Sequence, residues 1–129
     1  MKFAKVVFTL GGIWGLAVVT PLYFMFDYVG RQYPPAITHA DMYYGFVCVT
    51  LVWQIAFLII ATDPIRYRPM IMVAILEKFS YVATMVTLYA KGDLLLGQAA
   101  VAAPDSIVGV LFVLAFMATA SGASHVARR

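Results

Sequence analysis

Four apolar stretches, each long enough to cross a bilayer, use up nearly the whole of this chain. Three carry no Asp, Glu, Lys or Arg: Val6 to Phe26 (21 residues), Met42 to Thr62 (21) and Ser106 to Ala127 (22). The fourth, Pro69 to Ala90 (22 residues), is apolar apart from Glu77 and Lys78 side by side and a few hydroxyls. A membrane-spanning helix needs about 20 such residues. Only helices and closed barrels satisfy their own backbone hydrogen bonds in hydrocarbon. The chain is 64% hydrophobic and 12% charged, with mean hydropathy +0.90, whereas soluble domains are about 45–50% apolar and about 25% charged. The expected fold is all-α: a polytopic membrane protein formed as a single four-transmembrane-helix bundle over residues 1–129, with helices near 4–26, 39–62, 69–90 and 105–124.

The net charge of +3 does not mark a nucleic-acid partner, because the cations sit where topology is set. With four spans, Lys2, Lys5, Arg66, Arg68, Arg128 and Arg129 fall on one side, against Arg31 and Lys91 on the other. Cytoplasmic loops are enriched in Lys and Arg, so both termini are expected to be cytoplasmic. The apolar run behind Lys5 is too long for a secretory signal core of about 7 to 15 residues and ends in the bulky TPLYFMF, so it reads as a span. Cys48, the single cysteine, lies inside the second span and reads as a small apolar residue.

Local chemistry marks the helix ends. Thr38 and Asp41 have capping-box spacing for the second helix. Pro69 and Pro104 suit first turns of the third and fourth, and Lys91-Gly92 suits a helix stop. Pro21 is expected to kink the first span or end its regular part. Since lipid is as apolar as leucine, close helix contacts need small residues. Gly11, Gly12 and Gly15 supply them on the first helix, and Gly109, Ala115, Ala118 and Gly122 on the fourth; whether Gly11-xxx-Gly15 joins helices within one bundle or two copies of the chain stays open. Tyr23, Tyr28, Tyr43, Tyr44, Tyr67 and Tyr89 fit an interfacial belt.

Glu77 is the strongest functional clue. It lies eight residues into its span, about 12 Å deep at about 1.5 Å per residue, and an ionisable group at that depth marks a functional site by default. Neighbours at i and i+1 diverge by about 100°, so Glu77 and Lys78 are expected to occupy separate environments. Helical spacing puts Ala74, Glu77, Ser80, Tyr81, Thr84 and Leu88 on one stripe, small or polar for most of its length, and Glu77 is expected to face the interior. Lys78 shares a side with Ile71, Ile75, Val82 and Met85, and is expected to snorkel toward the inner headgroups. Gln54 lies at the same depth on the second helix, where its amide is placed to donate to the Glu77 carboxylate. The expected buried polar or ligand-binding residues are therefore Glu77, Gln54, Tyr81, Thr84, Lys78 and Trp53.

Other chemistries find little support. Arg66 and Arg68 beside Tyr67 suit lipid phosphates as well as topology. Asp27, His39 and Asp41 lack metal-ligand spacing, and no metal site is expected. His125 reads as part of a solvated tail. No phosphate loop, CxxC or Ser-His-Asp arrangement is present, so no catalytic residue is assigned, and the cofactor is unknown.

The run Tyr43-Tyr44-Gly45-Phe46, Trp53-Gln54, Asp63-Pro64, Arg66-Tyr67-Arg68-Pro69 and Glu77-Lys78 resembles the pattern of small uncharacterised bacterial four-helix inner-membrane proteins, and is loosely similar to the DoxX-like group. The resemblance covers helices two and three. It implies an inner-membrane bundle, and DoxX-like proteins are associated with quinone-linked or redox partner complexes; no cofactor ligand carries over to a residue here. The expected function is binding of a small or lipid-like ligand at the buried polar layer. The alternatives are an accessory or assembly subunit of a larger membrane complex, and a membrane enzyme acting on an apolar substrate with Glu77 as acid or base. Expected partners are membrane lipids and a homo-oligomer or larger complex.

Overall fold

A computed structural model describes residues 1–126; Arg128, Arg129 and the side chain of His125 lie outside the described part. Among the described residues the chain is all-helical. Helix α1 (Lys2–Val19) runs into a 3-10 turn (Thr20–Phe24), followed by the short α2 (Phe26–Gln32). Then come α3 (Ala40–Thr62) and α4 (Arg68–Ala90). The last span is composite: α5 (Leu96–Ala99), a 3-10 turn (Ala100–Ala102), α6 (Ala103–Ala118) and the terminal α7 (Ala120–Val126). Four helical segments, Lys2–Phe24, Ala40–Thr62, Arg68–Ala90 and Leu96–Gly122, are long and apolar enough to cross a membrane. The chain is a multi-pass membrane protein.

The ends of these helices follow from local chemistry. Regular α geometry stops just before Pro21, whose ring carries no amide to donate, and tightens into the 3-10 turn. At the end of α4, Gly92 takes φ +82°. The Gly92 amide donates to Tyr89 O (3.0 Å) and the Asp93 amide to Leu88 O (2.9 Å), the paired bonds of a Schellman stop. Two boundaries depart from expectation. Helix α3 begins at Ala40 with His39 at its cap and no side-chain capping bond, so the Thr38 capping box does not form. The fourth span begins at Leu96, nine residues ahead of Asp105, because Gln98 Oε1 accepts the Leu95 amide (2.8 Å) and an alanine-rich run carries the helix onward.

Glycine decides which helices meet. The closest packing is α1 on α3 and α4 on α6, with α1 also touching α6, whereas α3 and α4 approach each other little despite their short connection. A Cβ at Gly12 would meet Leu58 and the Gln54 carbonyl, one at Gly11 the Phe112 ring, and one at Gly15 the Gln54 side chain. The glycine face of α1 is thus consumed inside the bundle. On the last span, Gly109 sits against Phe79 and the Lys78 stem, and Gly122 against Ile65 and Met1. Ala118 is exposed.

The bundle has two unlike halves. Toward the end that holds Met1, the α3–α4 connection and α7, it is closed: Phe8, Phe57 and Phe112 are fully buried with Ala4, Ile71, Ala74 and Ala115. Phe8 stacks on Phe112 at 4.2 Å between centroids, and Phe57 meets Phe112 edge-on at 4.9 Å. At the opposite end Tyr23, Phe26, Tyr43 and Tyr44 stack together, and Tyr43 donates to Leu22 O (2.7 Å). Between that aromatic end and the phenylalanine core the helices do not close.

Candidate functional site

A cavity of about 290 Å³ occupies the open half, walled by residues from all four spans. Helix α1 lends Gly11, Trp14, Gly15, Val18 and Val19, and α3 lends Phe46, Thr50 and Gln54. Helix α4 lends Glu77, Lys78 and Tyr81, and the last span lends Ala100, Val101, Pro104, Asp105 and Val108. The walls are mainly apolar, with a few polar groups contributed by α3, α4 and α6, the composition that small-molecule sites have.

Lys78 anchors the polar side. It is only 7% exposed, and its ammonium donates to Asp105 Oδ1 across the α4–α6 contact at 2.7 Å. The same Nζ lies 3.4 Å from Glu77 Oε2 and 5.2 Å from the Phe57 ring centroid. The Glu77 contact is an ion pair by distance but lacks hydrogen-bond geometry, and Glu77 Oε2 has no hydrogen-bond partner among the described residues. One ammonium therefore faces two carboxylates and an aromatic ring, which together compensate for taking it out of water.

Gln54 makes the second polar element. It is 1% exposed, and its Nε2 donates to Thr50 O one turn earlier at 2.9 Å. A carbonyl can only accept, so this bond sets the amide orientation and turns Oε1 away from Thr50. Oε1 lies against Gly15, buried and without a hydrogen-bond partner among the described residues.

Several expectations are corrected by this geometry. Lys78 is the inward residue of the pair: it does not lie on the lipid flank or snorkel, and it contacts Glu77 as well. The stripe that packs inward on α4 is Ile71, Ala74 and Lys78, with Glu77 and Tyr81 on its margin, half-buried. Thr84 is exposed and donates to Ser80 O (2.9 Å), so it takes no part in the cavity. Gln54 does not donate to Glu77, because the glycines of α1 draw α3 away from α4. Trp53 packs beside Phe57 (6.1 Å) and lines a separate shallow groove between α3 and α4 with Val73, Leu76, Glu77 and Ser80. Glu77 thus borders both the cavity and this groove. Tyr81 does line the cavity, stacked on Phe46 at 6.3 Å.

At the closed end, Arg68 is folded onto the bundle. Its guanidinium carbon is 3.7 Å from the Phe116 ring centroid, and Nη2 donates to Phe116 O (3.5 Å) in the last turn of α6. That position suits a cation beside a helix carboxyl end. Arg66 is exposed, with its guanidinium 5.7 Å from the Tyr67 ring centroid.

Asp105 and Trp14 are site residues that sequence reasoning missed. Asp105 looked like a surface residue because the last helix was expected to start there. Measured from Leu96 it lies nine residues in, roughly 14 Å along the span. Trp14 sits mid-helix on α1, 54% exposed, where an interfacial tryptophan would not be expected. With Val18 (47%) and Val101 (54%), it forms a rim at which the cavity reaches the outer surface of the bundle.

Among the described residues there is no group of three or more His, Cys, Asp or Glu that could hold a metal ion. Comparison of the chain with protein-family models, curated proteins and solved structures returns no match.

Proposed function

We propose that this protein is a non-catalytic binding protein of the bilayer, and that its half-open cavity takes up a small or lipid-like molecule. One observation carries this: an apolar chamber of about 290 Å³ whose polar lining is built from buried Lys78 and Gln54 and half-buried Glu77 and Asp105. A pure packing role has no use for a chamber, since every void forfeits contacts. The rim of Trp14, Val18 and Val101 is apolar and lies on the outer surface of the spans, so a ligand enters sideways from hydrocarbon. At about 30 Å³ per atom, the share a water takes in the liquid, the chamber holds roughly ten non-hydrogen atoms.

The proposed setting is a bacterial inner membrane, with both termini cytoplasmic by the distribution of Lys and Arg. The cavity half of the bundle then faces the outer leaflet. Native mass spectrometry of the protein released from mild detergent tests the binding function. A retained small molecule that disappears in Val108→Phe, which fills the chamber from α6, is the expected result. An identical adduct pattern in both proteins would remove the cavity from consideration.

A second function, as an accessory or assembly subunit, is favoured by the α3–α4 groove. The two helices approach little there, and Glu77, Trp53 and Leu76 face outward together. A partner helix seated in that groove would place its own donor on Glu77. Leu76→Trp is then expected to release a copurifying subunit while leaving small-molecule adducts unchanged.

A further inference from the structure

Asp105 keeps acceptor surface open in the cavity where its neighbours do not. Gln54 Oε1 and Glu77 Oε2 are sealed by the protein around them, and the Thr50 hydroxyl is spent on Phe46 O (2.6 Å). Glu77 as a whole is less exposed, its side chain at 21%, and is shared with the groove outside. The Asp105 side chain is 31% exposed and lines the chamber. A carboxylate has about four acceptor positions; among the described residues one is filled, by Lys78 Nζ at Oδ1 (2.7 Å). Asp105 lies roughly 14 Å along the last span, and the chamber opens beside it to hydrocarbon, at the rim of Trp14, Val18 and Val101. Acceptor surface at that depth is costly unless a donor meets it.

We infer that the ligand is a neutral alcohol on a single apolar chain, its hydroxyl donating to the free oxygen of Asp105 and its chain running past Val19 and Val18 toward the mouth. Entry from hydrocarbon strips a head group of its water, a cost far larger for an ammonium or a carboxylate than for a hydroxyl. The Lys78–Asp105 pair adds no net charge to draw either ion, whether the proton between them sits on nitrogen or on oxygen. An ether or ester brings acceptors only and leaves Asp105 unmet. The chamber holds roughly ten non-hydrogen atoms, so a hydroxyl with about eight or nine carbons fills it and a longer chain extends through the rim into the bilayer.

This ligand class rests on the binding function proposed above, and one experiment separates the two. Octanol and heptyl methyl ether are isomers of equal bulk, and only the alcohol carries a donor; octylammonium and octanoate supply the charged heads. Their binding to the full chain in nanodiscs of zwitterionic phosphatidylcholine is measured by calorimetry, against empty discs and Val108→Phe discs to remove lipid partitioning. Octanol is expected to bind about tenfold or more tightly than the ether, the ratio that a hydrogen bond to a charged group supplies, and more tightly than either ion. In Asp105→Asn the side-chain carbonyl stays on Lys78, because an ammonium can only donate, and an NH2 group replaces the free oxygen. The preference for the alcohol is then expected to disappear while both isomers still bind. Should that variant fail to fold, the ratio of alcohol to ether in the unchanged protein decides the ligand class by itself. Equal binding of the isomers, as when water meets Asp105, or tighter binding of either ion, overturns the ligand class and leaves the cavity as a binding site. An alcohol preference unchanged in Asp105→Asn overturns Asp105 as its acceptor. No cavity-dependent binding of any of the four overturns both the ligand class and the binding function.

Discussion

Gln54 on α3 fills the space that a side chain on Gly15 of α1 would need: a Cβ built at Gly15 overlaps the Gln54 amide. Because lipid offers helices no hydrophobic reason to associate, this close approach is what holds α1 to α3. Gly15→Ala is therefore expected to push the amide out of its seat and destabilise the bundle by about 1–3 kcal/mol, the usual cost of overpacking. Unfolding in bicelles measures it. Gln54→Ala placed on top of Gly15→Ala should recover most of the loss, and a Gly15→Ala protein as stable as its parent would refute the close-packed seat.

Lys78 answers two carboxylates, so its removal is more damaging than its chemistry alone suggests. Lys78→Met leaves Asp105 and Glu77 facing each other without a cation. Complete burial would make that cost about 3–5 kcal/mol, but the Asp105 side chain is 31% exposed, so about 2–3 kcal/mol is expected. Adding Asp105→Asn to Lys78→Met removes one of the stranded charges and should return at least half of the loss. A double variant less stable than Lys78→Met would show that Asp105 is not the partner that matters.

The closed half of the bundle depends on shape rather than on escape from water. Phe112 touches Phe8 at 4.2 Å and Phe57 at 4.9 Å between centroids, and it is fully buried. In soluble cores Phe→Ala costs about 3–5 kcal/mol, part of it transfer from water. Here the unfolded reference is also apolar, so only the cavity part remains and about 2 kcal/mol is expected for Phe112→Ala. Equilibrium unfolding of the variant in the same bicelles checks it, and a loss near 5 kcal/mol would mean that this core is hydrated when unfolded.

How much of this was legible in the sequence depends on which quantity counting alone supplies. Span number and the depth of Glu77 need only residue counts, and the glycines of α1 announce a contact face. Which side of α4 turns inward was not legible. In water the buried face is the apolar one, but a helix with lipid on one side and protein on the other is apolar on both, so periodicity loses its meaning. The polar stripe of Ser80 and Thr84 therefore looked interior. Both hydroxyls satisfy themselves on carbonyls of their own helix, at Glu77 O and Ser80 O, and need no partner. Asp105 was hidden by a boundary: starting the last helix at Leu96 rather than at Pro104 moves it from the headgroups to the level of Lys78.

The orientation proposed from Lys and Arg places the cavity in the outer leaflet, and labelling tests it. Asp93, after the Schellman stop of α4, is exposed on the side opposite Asp63, which is exposed in the connection from α3 to α4. In a Cys48→Ser background, Asp93→Cys is expected to react with a membrane-impermeant maleimide on intact cells. Asp63→Cys should react only after lysis. Asp93→Cys should change stability by less than about 0.5 kcal/mol; Asp63→Cys gives up the bond that Asp63 Oδ1 accepts from the Arg66 amide (3.1 Å) and should cost about 0.5–1.5 kcal/mol, which leaves the sidedness readout intact. Labelling of Asp63→Cys from outside with Asp93→Cys protected would invert the protein. The rim of Trp14, Val18 and Val101 would then draw its ligand from the cytoplasmic leaflet.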